Sequence, residues 1–464
     1  MSGSISVFAY TEQVLQFSSG LSLQQAARNS FSGLRYQSFK NDKMTTADSG
    51  SNMPSSKFMR LLGPAAAVNG CGPRLGRVAF PGRKAIDTPS FIAVTSRGAV
   101  PHLTPDNLDQ HTSVGAAYMA LEDFIERKDP PIYHTPCNDG RRLHSFTAMA
   151  ADRVTVLGAR RCPPVPTPTG NSAKAINMYP STGFASLPIA EYAAAVESLR
   201  PDVAIAPSDA LHSSTTPASK KLVKMAERTE EWLDCFLEHF GSRERLDELG
   251  ISVFAPILPV ELPMQWMYLE HLAENVTDKL SGLALYGVAI LPELQRYQTL
   301  LPLTRLSLDP VNTPHQLLRQ ISLGIDLCTL AFINTVSDSG VAFSFSFPAP
   351  RVSKPVPLGI NMHHHRAYLQ HLLNAKEMLG WNLLQIHNHD VVSKFFVGIR
   401  QSLSQGLEVF EGERKRFTEA YEAEFAEGSG ERPRARGYHF KSEAGQAKMN
   451  KPGWTNLDAC AQQY

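Results

Sequence analysis

The sequence lacks long hydrophobic runs, paired cysteines and an excess of charge of either sign. No apolar run approaches the roughly 20 residues that are needed to span a bilayer. Lys and Arg number 45 against 44 Asp and Glu, so a net charge of +1 creates no overall attraction to nucleic acid or membrane, and any polyanion site must be a local patch. The cysteines include no CxxC pair and are scattered at Cys71, Cys137, Cys162, Cys235, Cys328 and Cys460. This spacing argues against a disulfide framework, and we expect a soluble intracellular protein with reduced thiols.

Nucleotide-binding and repeat signatures are also missing. The chain has no GxGxxG motif after a predicted strand, no GxxxxGK[ST] motif and no internal repeat of about 20–50 residues. It does have 464 residues with 43% apolar content, enough to bury a large core. That core fits one barrel-sized domain with extensions, or two domains.

Strand-like and helix-like segments alternate through the middle of the chain. The predicted strands are 77–80, 91–95, 153–157, 203–206, 251–258, 283–291, 306–308 and 325–333. The predicted helices are 190–199, 219–240, 264–280, 293–300 and 314–322, the last with Thr313 as its N-cap. This order predicts an α/β fold of parallel strands with helical crossovers. The number of units favours a closed TIM-like (β/α)8 barrel over an open doubly wound sheet, although periodicity alone does not separate the two.

Shifts in composition predict the domain boundaries. We assign 1–58 to an N-terminal extension, 73–345 to the barrel, 346–362 to a Pro-rich connection, 363–426 to a helical insertion and extension, and 427–464 to a basic C-terminal tail. Residues 1–58 are rich in Ser, Gln and Asn and poor in acids. They fit a disordered extension, a mitochondrial transit peptide or an addition upstream of a natural start at Met59.

The segment 363–402 combines apolar periodicity with clustered histidines. Its apolar residues recur at steps of three and four along one stripe: Tyr368, Leu372, Ala375, Leu379, Leu383 and Ile386. Polar residues at 387–389 separate this stripe from a second apolar run that begins at Val391. The pattern predicts two core helices joined at a His-rich junction.

The order of several motifs says more than their periodicity. Within the helical segment they are 366–369 (RAYL), 376–380 (KEMLG) and 387–388 (HN). Elsewhere they are 73–77 (PRLGR), 88–91 (TPSF), 96–104 (SRGAVPHLT), 305–308 (RLSL), 322–327 (SLGIDL) and 430–445 (GERPRARGYHFKSEAG). Together they resemble the tRNA-guanine transglycosylases, particularly the fungal accessory subunits of queuine tRNA-ribosyltransferase. The resemblance, over about residues 73–455, implies a TIM-like barrel, a zinc-bound helical insertion and a catalytic paralogue as partner, which exchanges guanine for queuine in tRNA.

The catalytic residues of those relatives are replaced in this chain. Their nucleophile is the second Asp of a Gly-(Val/Ile)-Asp-Leu-Phe-Asp run, and the matching run 324–329 reads GIDLCT, with Thr329 at the nucleophile position. An unactivated hydroxyl is a poor replacement for a carboxylate. Asp326 is the alternative nucleophile, but it alternates with Thr329 along the strand, which favours a structural role.

Two further motifs of the family are lost. The nearest equivalent of the Asp-Ser-Gly-Gly-Phe motif is 134–138 (HTPCN), which has no Asp. The purine-reading Asp-Glu-Cys is matched only by 208–210 (SDA). We therefore predict no catalytic residue.

The resemblance also implies a zinc site that has lost most of its ligands here. Relatives bind zinc through Cys-x-Cys-x-x-Cys and the His of a His-Asn pair. His387 matches that His, whereas Val356, Leu358 and Asn361 stand at the Cys spacings. We infer a deletion of the Cys cluster and looser local packing, since a structural zinc contributes about 10 kcal/mol. Four other histidines are alternative ligands for zinc or nickel: His363, His364, His365 and His389. The competing interpretation is that they form a polar helix start and a hydrogen-bonded junction, since consecutive residues point to different faces of a helix.

Two basic clusters are candidates for tRNA binding. They comprise Arg414, Lys415 and Arg416, and then Arg432, Arg434, Arg436 and Lys441. Glutamates among them leave a solvated helix and tail as the alternative. The family pairs through the helical insertion, so 368–400 is the predicted surface for the catalytic subunit, unless its stripe is buried in its own domain.

Three functions follow from these observations. The favoured one is the non-catalytic accessory subunit of a heterodimeric queuine tRNA-ribosyltransferase that acts at the anticodon wobble position. The others are an active transglycosylase that uses unrecognised carboxylates and a truncated variant that no longer pairs. The resemblance implies a cytoplasmic location and is compatible with peripheral association with the mitochondrial outer membrane.

Overall fold

A computed structural model describes residues 59–62, 72–137, 139–167, 170–180, 182–210, 217–361 and 367–425. The predictions for 1–58, for His363, His364 and His365, and for the tail 427–464 with Arg432, Arg434, Arg436 and Lys441 lie outside these residues. No helix in the described ranges is long and apolar enough to cross a membrane.

Fifteen strands and eleven α-helices are present in the described residues. The strands are β1 Met59–Leu61, β2 Gly76–Val78, β3 Ile86–Thr88, β4 Ser90–Val94, β5 Ala116–Ala120, β6 Val154–Gly158, β7 Ala175–Met178, β8 Ala185–Pro188, β9 Val203–Ile205, β10 Ser252–Ile257, β11 Gly282–Leu285, β12 Thr304–Ser307, β13 Leu327–Leu330, β14 Val341–Phe343 and β15 Gly359–Asn361. The helices are α1 Pro105–His111, α2 Arg142–Thr147, α3 Ile189–Leu199, α4 Ser219–Phe240, α5 Arg243–Leu249, α6 Leu262–His271, α7 Pro314–Ser322, α8 Phe332–Asp338, α9 Ala367–Asn374, α10 Met378–Gln405 and α11 Leu407–Ala420. Short 3-10 turns lie at Leu121–Asp123, Pro131–His134, Thr277–Lys279, Val288–Arg296 and Gln298–Leu300, and a π turn at Leu272–Val276.

Eight parallel strands close into a barrel in the order β4, β5, β6, β9, β10, β11, β12 and β13, and β13 pairs with β4. This confirms the TIM-like (β/α)8 prediction and excludes the open sheet. Side chains alternate between two apolar layers, because successive residues of a strand face opposite sides. Ile92 and Val94 belong to the cluster inside the barrel, whereas Phe91 and Ala93 belong to the cluster under the helices.

Two strand predictions were too long, and one barrel strand was missed, as were the short strands β1, β3, β7, β8, β14 and β15 outside the barrel. The predicted strand 325–333 is β13 followed at once by α8, and 283–291 is β11 followed by a 3-10 turn. The 3-10 turn after β11 is stabilised by Asp309, whose carboxylate accepts a hydrogen bond from the Val288 amide at 3.1 Å. The prediction omitted β5, since its alanines and methionine are better helix formers than strand formers.

The C-terminal helices differ from the predicted helix pair. We expected a junction at 387–389, but α10 runs continuously through these residues, and the break falls between α9 and α10 at 375–377. Lys376 there adopts a left-handed backbone conformation with φ of 56°. The break divides the predicted stripe between two helices. Tyr368 and Leu379 of the stripe are 52% and 47% exposed, whereas Trp381 and Leu384, which do not belong to the stripe, are buried.

Candidate functional site at the mouth of the barrel

The carboxyl ends of parallel barrel strands meet at one mouth, where such folds place their sites. Thr329 lies near the end of β13, and the loop that follows β6 brings Arg160, Arg161 and Cys162 to the same place. The Cys162 sulfur lies 3.5 Å from the Thr329 hydroxyl oxygen, across a separation of 167 residues. The mouth is therefore built from distant parts of the chain.

Thr329 is buried and hydrogen-bonded at the predicted nucleophile position. It is 3% exposed, and its hydroxyl donates to the carbonyl oxygen of Ser307 at 2.8 Å. Burial raises the pKa of the neighbouring Cys162 thiol to about 11, opposed by the hydrogen bond with Thr329. Cys162 is thus a neutral thiol near pH 7 and does not serve as a base for Thr329.

Side chains fill most of the mouth beside Cys162. The cavity that remains measures about 60 Å3 and is lined by side chains that include Tyr118, Arg160, Cys162, Tyr286 and Leu308. Pockets for small molecules measure about 300–1,000 Å3, whereas one water needs only about 10–15 Å3. This cavity accommodates a few waters and is too small for a purine base, whereas a larger groove opens on the rim between the loops that follow other strands.

Close packing of Tyr118 explains part of this filling. Its hydroxyl donates to the Arg160 carbonyl oxygen at 2.5 Å, which ties the barrel interior to the loop after β6. Gly158 allows this arrangement, because a side chain there would collide with the Tyr118 hydroxyl and ring. Any residue larger than glycine at the end of β6 would displace the loop.

Two carboxylates that the sequence analysis did not single out lie beside the mouth. Asp123 accepts a hydrogen bond from Arg161 Nε at 2.6 Å, and Glu122 accepts one from the Arg161 backbone amide. Burial raises the pKa of Glu122, opposed by the charge of Arg161. In the sequence these two acids directly follow the apolar run that forms β5, but that run was not predicted as a strand. Their ion pairs hold the loop after β6 in place.

Of the segment 134–138, which the sequence analysis took as the nearest equivalent of the second catalytic carboxylate region, the structure describes 134–137. His134 ends a 3-10 turn and pairs with Asp129 at 2.6 Å with both side chains largely exposed. The Thr135 carbonyl oxygen accepts a hydrogen bond from Arg142 on α2. Residues 134–137 are not among those that line the small cavity at the mouth, whereas Arg160, Arg161 and Cys162 of the loop after β6 are.

Asp326 and Asp209 are both engaged in buried ion pairs. Asp326 lies before β13, at the opposite end from the mouth, and pairs with Arg74. Asp209 accepts hydrogen bonds from Arg228 at 2.6 Å and Asn171 at 2.7 Å. Burial raises the pKa of Asp209, opposed by these same two partners. Both carboxylates are used in packing secondary structure together.

The residues at the expected zinc site do not fit a closed Cys3His centre. His387 uses its Nε2 for a hydrogen bond with the Phe343 carbonyl oxygen at 2.9 Å. Leu358 is completely buried, and Val356 forms backbone hydrogen bonds with Ala420 and Glu422. Within the described part of the chain, no group of three His, Cys, Asp or Glu side chains is placed to hold a metal ion. No thiolate is available at any of the three Cys spacings.

His389 is a histidine of the hydrophobic core. It is almost completely buried and stacks on Phe91 with ring centroids 5.9 Å apart. Burial lowers its pKa to about 4. Gln385 lies within hydrogen-bond distance of its Nε2, at 3.3 Å. His389 is therefore neutral at physiological pH and serves to pack α10 against β4.

The described basic cluster lies on α11 and is mostly paired. Arg414 forms an ion pair with Glu411 at 2.7 Å, and Arg416 forms one with Glu413 at 2.7 Å. Lys415 is exposed. Pairs at this helical spacing neutralise the two guanidinium groups locally.

A groove on the barrel rim was not predicted. It measures about 760 Å3 and lies between the loops that follow β10, β11 and β12. Leu258, Val260 and Ile290 contribute apolar walls, and Asp309 and Arg319 contribute charges. Its size falls within the range of small-molecule pockets. Sequence patterns did not indicate it, because its residues come from three separate loops.

Comparisons with known proteins place these features in a family context. A family model described as queuine tRNA-ribosyltransferase matches residues 70–423. The queuine tRNA-ribosyltransferase accessory subunit 2 of Schizosaccharomyces pombe is 30% identical over 401 residues, covering 81% of this chain and 87% of that protein. Proteins with the same name from Drosophila virilis and Drosophila melanogaster are 25% and 24% identical, over 71% and 72% of this chain and 86% of each.

Proposed function

The chain belongs to the queuine tRNA-ribosyltransferase family, and we propose that it is the non-catalytic accessory subunit of a heterodimeric enzyme of that kind. The complex exchanges guanine for queuine at the wobble position of tRNA anticodons. The names of the relatives support the accessory role. The observation that carries the non-catalytic assignment is Thr329, a buried hydroxyl bonded to the Ser307 carbonyl oxygen at the nucleophile position.

Base exchange requires chemistry that these residues do not supply. A carboxylate must attack the ribose C1′ while one base leaves, and an acid–base group must serve the departing and arriving purines. The Thr329 hydroxyl has a neutral thiol and a carbonyl oxygen as its partners, and neither removes its proton. The cavity of about 60 Å3 beside its neighbour Cys162 is too small for a base.

We assign the contact with the catalytic subunit to the exposed apolar residues around the break between α9 and α10. Tyr368, Met378 and Leu379 are 52%, 58% and 47% exposed. The rest of α10 buries most of its apolar side chains, among them Phe395, Phe396 and Ile399, and Val397 is its one exposed large apolar residue, at 43%. This narrows the interface predicted from the sequence to one end of the segment 368–400.

The assignment is tested by guanine exchange with labelled base on the isolated chain, on the chain mixed with its catalytic paralogue, and on the Thr329→Asp variant. We expect no turnover from the isolated chain or from the variant, because an aspartate at position 329 would restore a carboxylate but neither a cavity large enough for a base beside Cys162 nor an acid–base partner. Turnover in the mixture measures the heterodimer. Turnover by the isolated wild-type chain would show an active transglycosylase and contradict the proposal.

Pairing is tested by co-purification with the catalytic paralogue after Met378→Glu and Leu379→Glu changes. Met378 is the first residue of α10, where an acidic side chain is compatible with the helix dipole, so folding is preserved. Met267→Glu on α6 is the matched control, since Met267 is 61% exposed and lies on a different helix. We expect loss of pairing only in the α10 variants. Equal pairing in all variants would refute this interface, and no pairing by the wild type would refute the accessory role.

A further inference from the structure

Asn388, the neighbour of His387, joins three elements of the helical region. It is completely buried on α10, and its Oδ1 accepts a hydrogen bond from the Phe343 amide at 2.8 Å. Its Nδ2 donates to Ser337 Oγ at 2.9 Å and to the Val341 carbonyl oxygen at 3.0 Å. These three bonds attach α10 to β14 and to α8. We call Asn388 with these three partners the amide clip.

An aromatic cluster fills the space on the next turns of α10. Phe395 lies with its ring centroid 5.3 Å from Phe345, 5.6 Å from Phe347 and 5.5 Å from Phe417 of α11. All four rings are buried. Aromatic side chains bury large apolar areas and gain further from edge-to-face contacts. The helical region is therefore packed into the large hydrophobic cluster that lies around the barrel, unlike the small sites that depend on a metal ion for folding.

We propose that the helical region 367–420 holds its fold without a metal ion, through the amide clip and the aromatic cluster. The segment that matches the expected zinc site is part of this packing. β15 pairs with β14 as an antiparallel ladder, and Leu358, which stands at one of the expected Cys positions, is buried in the core. His387 adds one surface hydrogen bond to the same strand and is otherwise exposed. This inference does not depend on the accessory function, and it replaces our expectation of loosened packing.

The amide clip and a zinc centre predict opposite sensitivities for two adjacent residues. If the clip holds the region, Asn388→Ala leaves Ser337, Val341 and Phe343 without their buried partner, whereas His387→Ala removes one exposed contact. Buried groups that lose a partner are far more costly than exposed ones, so we expect the Tm loss for Asn388→Ala to be at least about threefold larger. If zinc holds the region, His387→Ala has the larger effect.

The experiment uses the full-length chain without an affinity tag, with metal content measured by mass spectrometry and thermal unfolding recorded with and without the chelator phenanthroline. We expect sub-stoichiometric zinc, an unchanged Tm in chelator, and the order Asn388→Ala, then His387→Ala, then the exposed control His371→Ala. Ser337→Ala removes only one of the three bonds of the amide clip, so it gives an intermediate loss should Asn388→Ala fail to fold. Stoichiometric zinc whose removal lowers Tm would overturn the proposal, whichever residues hold it. A His387→Ala loss equal to that of Asn388→Ala would also overturn it.

Discussion

The ion pair between Arg74 and Asp326 offers the sharpest test of how this barrel is held together. Both side chains are almost completely removed from water, at 4% and 0% exposure. Asp326 Oδ1 accepts from Arg74 Nε at 3.0 Å, and Oδ2 accepts from Arg74 Nη2 and from the Arg305 amide at 2.8 Å. Arg74 also donates to the carbonyl oxygens of Leu301 and Leu303. The pair therefore joins the segment before β2 to β12 and β13.

Asp326→Asn removes the charge that balances a buried guanidinium group. Breaking such a pair costs about 3–5 kcal/mol, because the remaining charge is left in a medium that solvates it poorly. The same chain contains a matched exposed pair, Arg77 and Asp87, at 2.6 Å with 54% and 46% exposure. Exposed pairs contribute about 0–1 kcal/mol, so Asp87→Asn is the control. We expect the first variant to lose several times more stability than the second.

Urea unfolding of the full-length chain measures both free energies from the transition midpoints and slopes. Equal losses for Asp326→Asn and Asp87→Asn would refute the ion-pair reasoning. The double variant Arg74→Met with Asp326→Leu should recover part of the loss, since a buried pair can be replaced by apolar side chains of similar volume. If Asp326 were instead the nucleophile, Asp326→Asn would abolish base exchange by the isolated chain while leaving the midpoint unchanged.

Two further predictions concern pH and tRNA. Burial holds the pKa of His389 at about 4, below its ordinary 6.5, so the unfolded chain takes up a proton between these values and the folded chain does not. Stability therefore falls as pH drops from about 6.5 to 4, by about 1.4 kcal/mol per unit, and His389→Phe should reduce the slope of unfolding free energy against pH by that amount; an unchanged slope would contradict the burial argument. For tRNA, replacing Arg432, Arg434, Arg436 and Lys441 with alanine should lower the salt dependence of binding by the heterodimer by about one unit of log–log slope per lost phosphate contact. Arg414→Ala with Arg416→Ala should change that slope little, because both guanidinium groups are already paired; filter binding at two salt concentrations decides between the clusters.

Much of the barrel was readable from the sequence because its signals are local. The helix predicted at 219–240 is α4 with the same bounds, since its polar and apolar residues alternate with helical period over 22 residues. Thr313 caps α7 as predicted, and its hydroxyl accepts from the Gln316 amide. Thr329 was identified by its position in a short motif, which needs no knowledge of packing.

The predictions that failed depended on contacts with distant residues. No Gly or Pro marks the turn at Lys376, and the helical pattern of the sequence continues across it. The sequence therefore did not show that the helix breaks at Lys376 and runs without a break through His387. The apolar run after Leu285 was predicted to continue the strand. In the structure it forms a 3-10 turn, where the carboxylate of Asp309 accepts a hydrogen bond from the Val288 amide.

The sequence alone determined the alternation of strands and helices, and the hydroxyl at the position where the family motif has a carboxylate, because periodicity and the order of motif letters are properties of neighbouring residues. Only the tertiary structure decided that the sheet closes into a barrel, that Asp326 is paired, and that Asn388 binds β14. Cys162 meets Thr329 across 167 residues, and Arg74 meets Asp326 across 252. No local pattern encodes such contacts, since they exist only once the barrel has brought both ends of each pair to the same place.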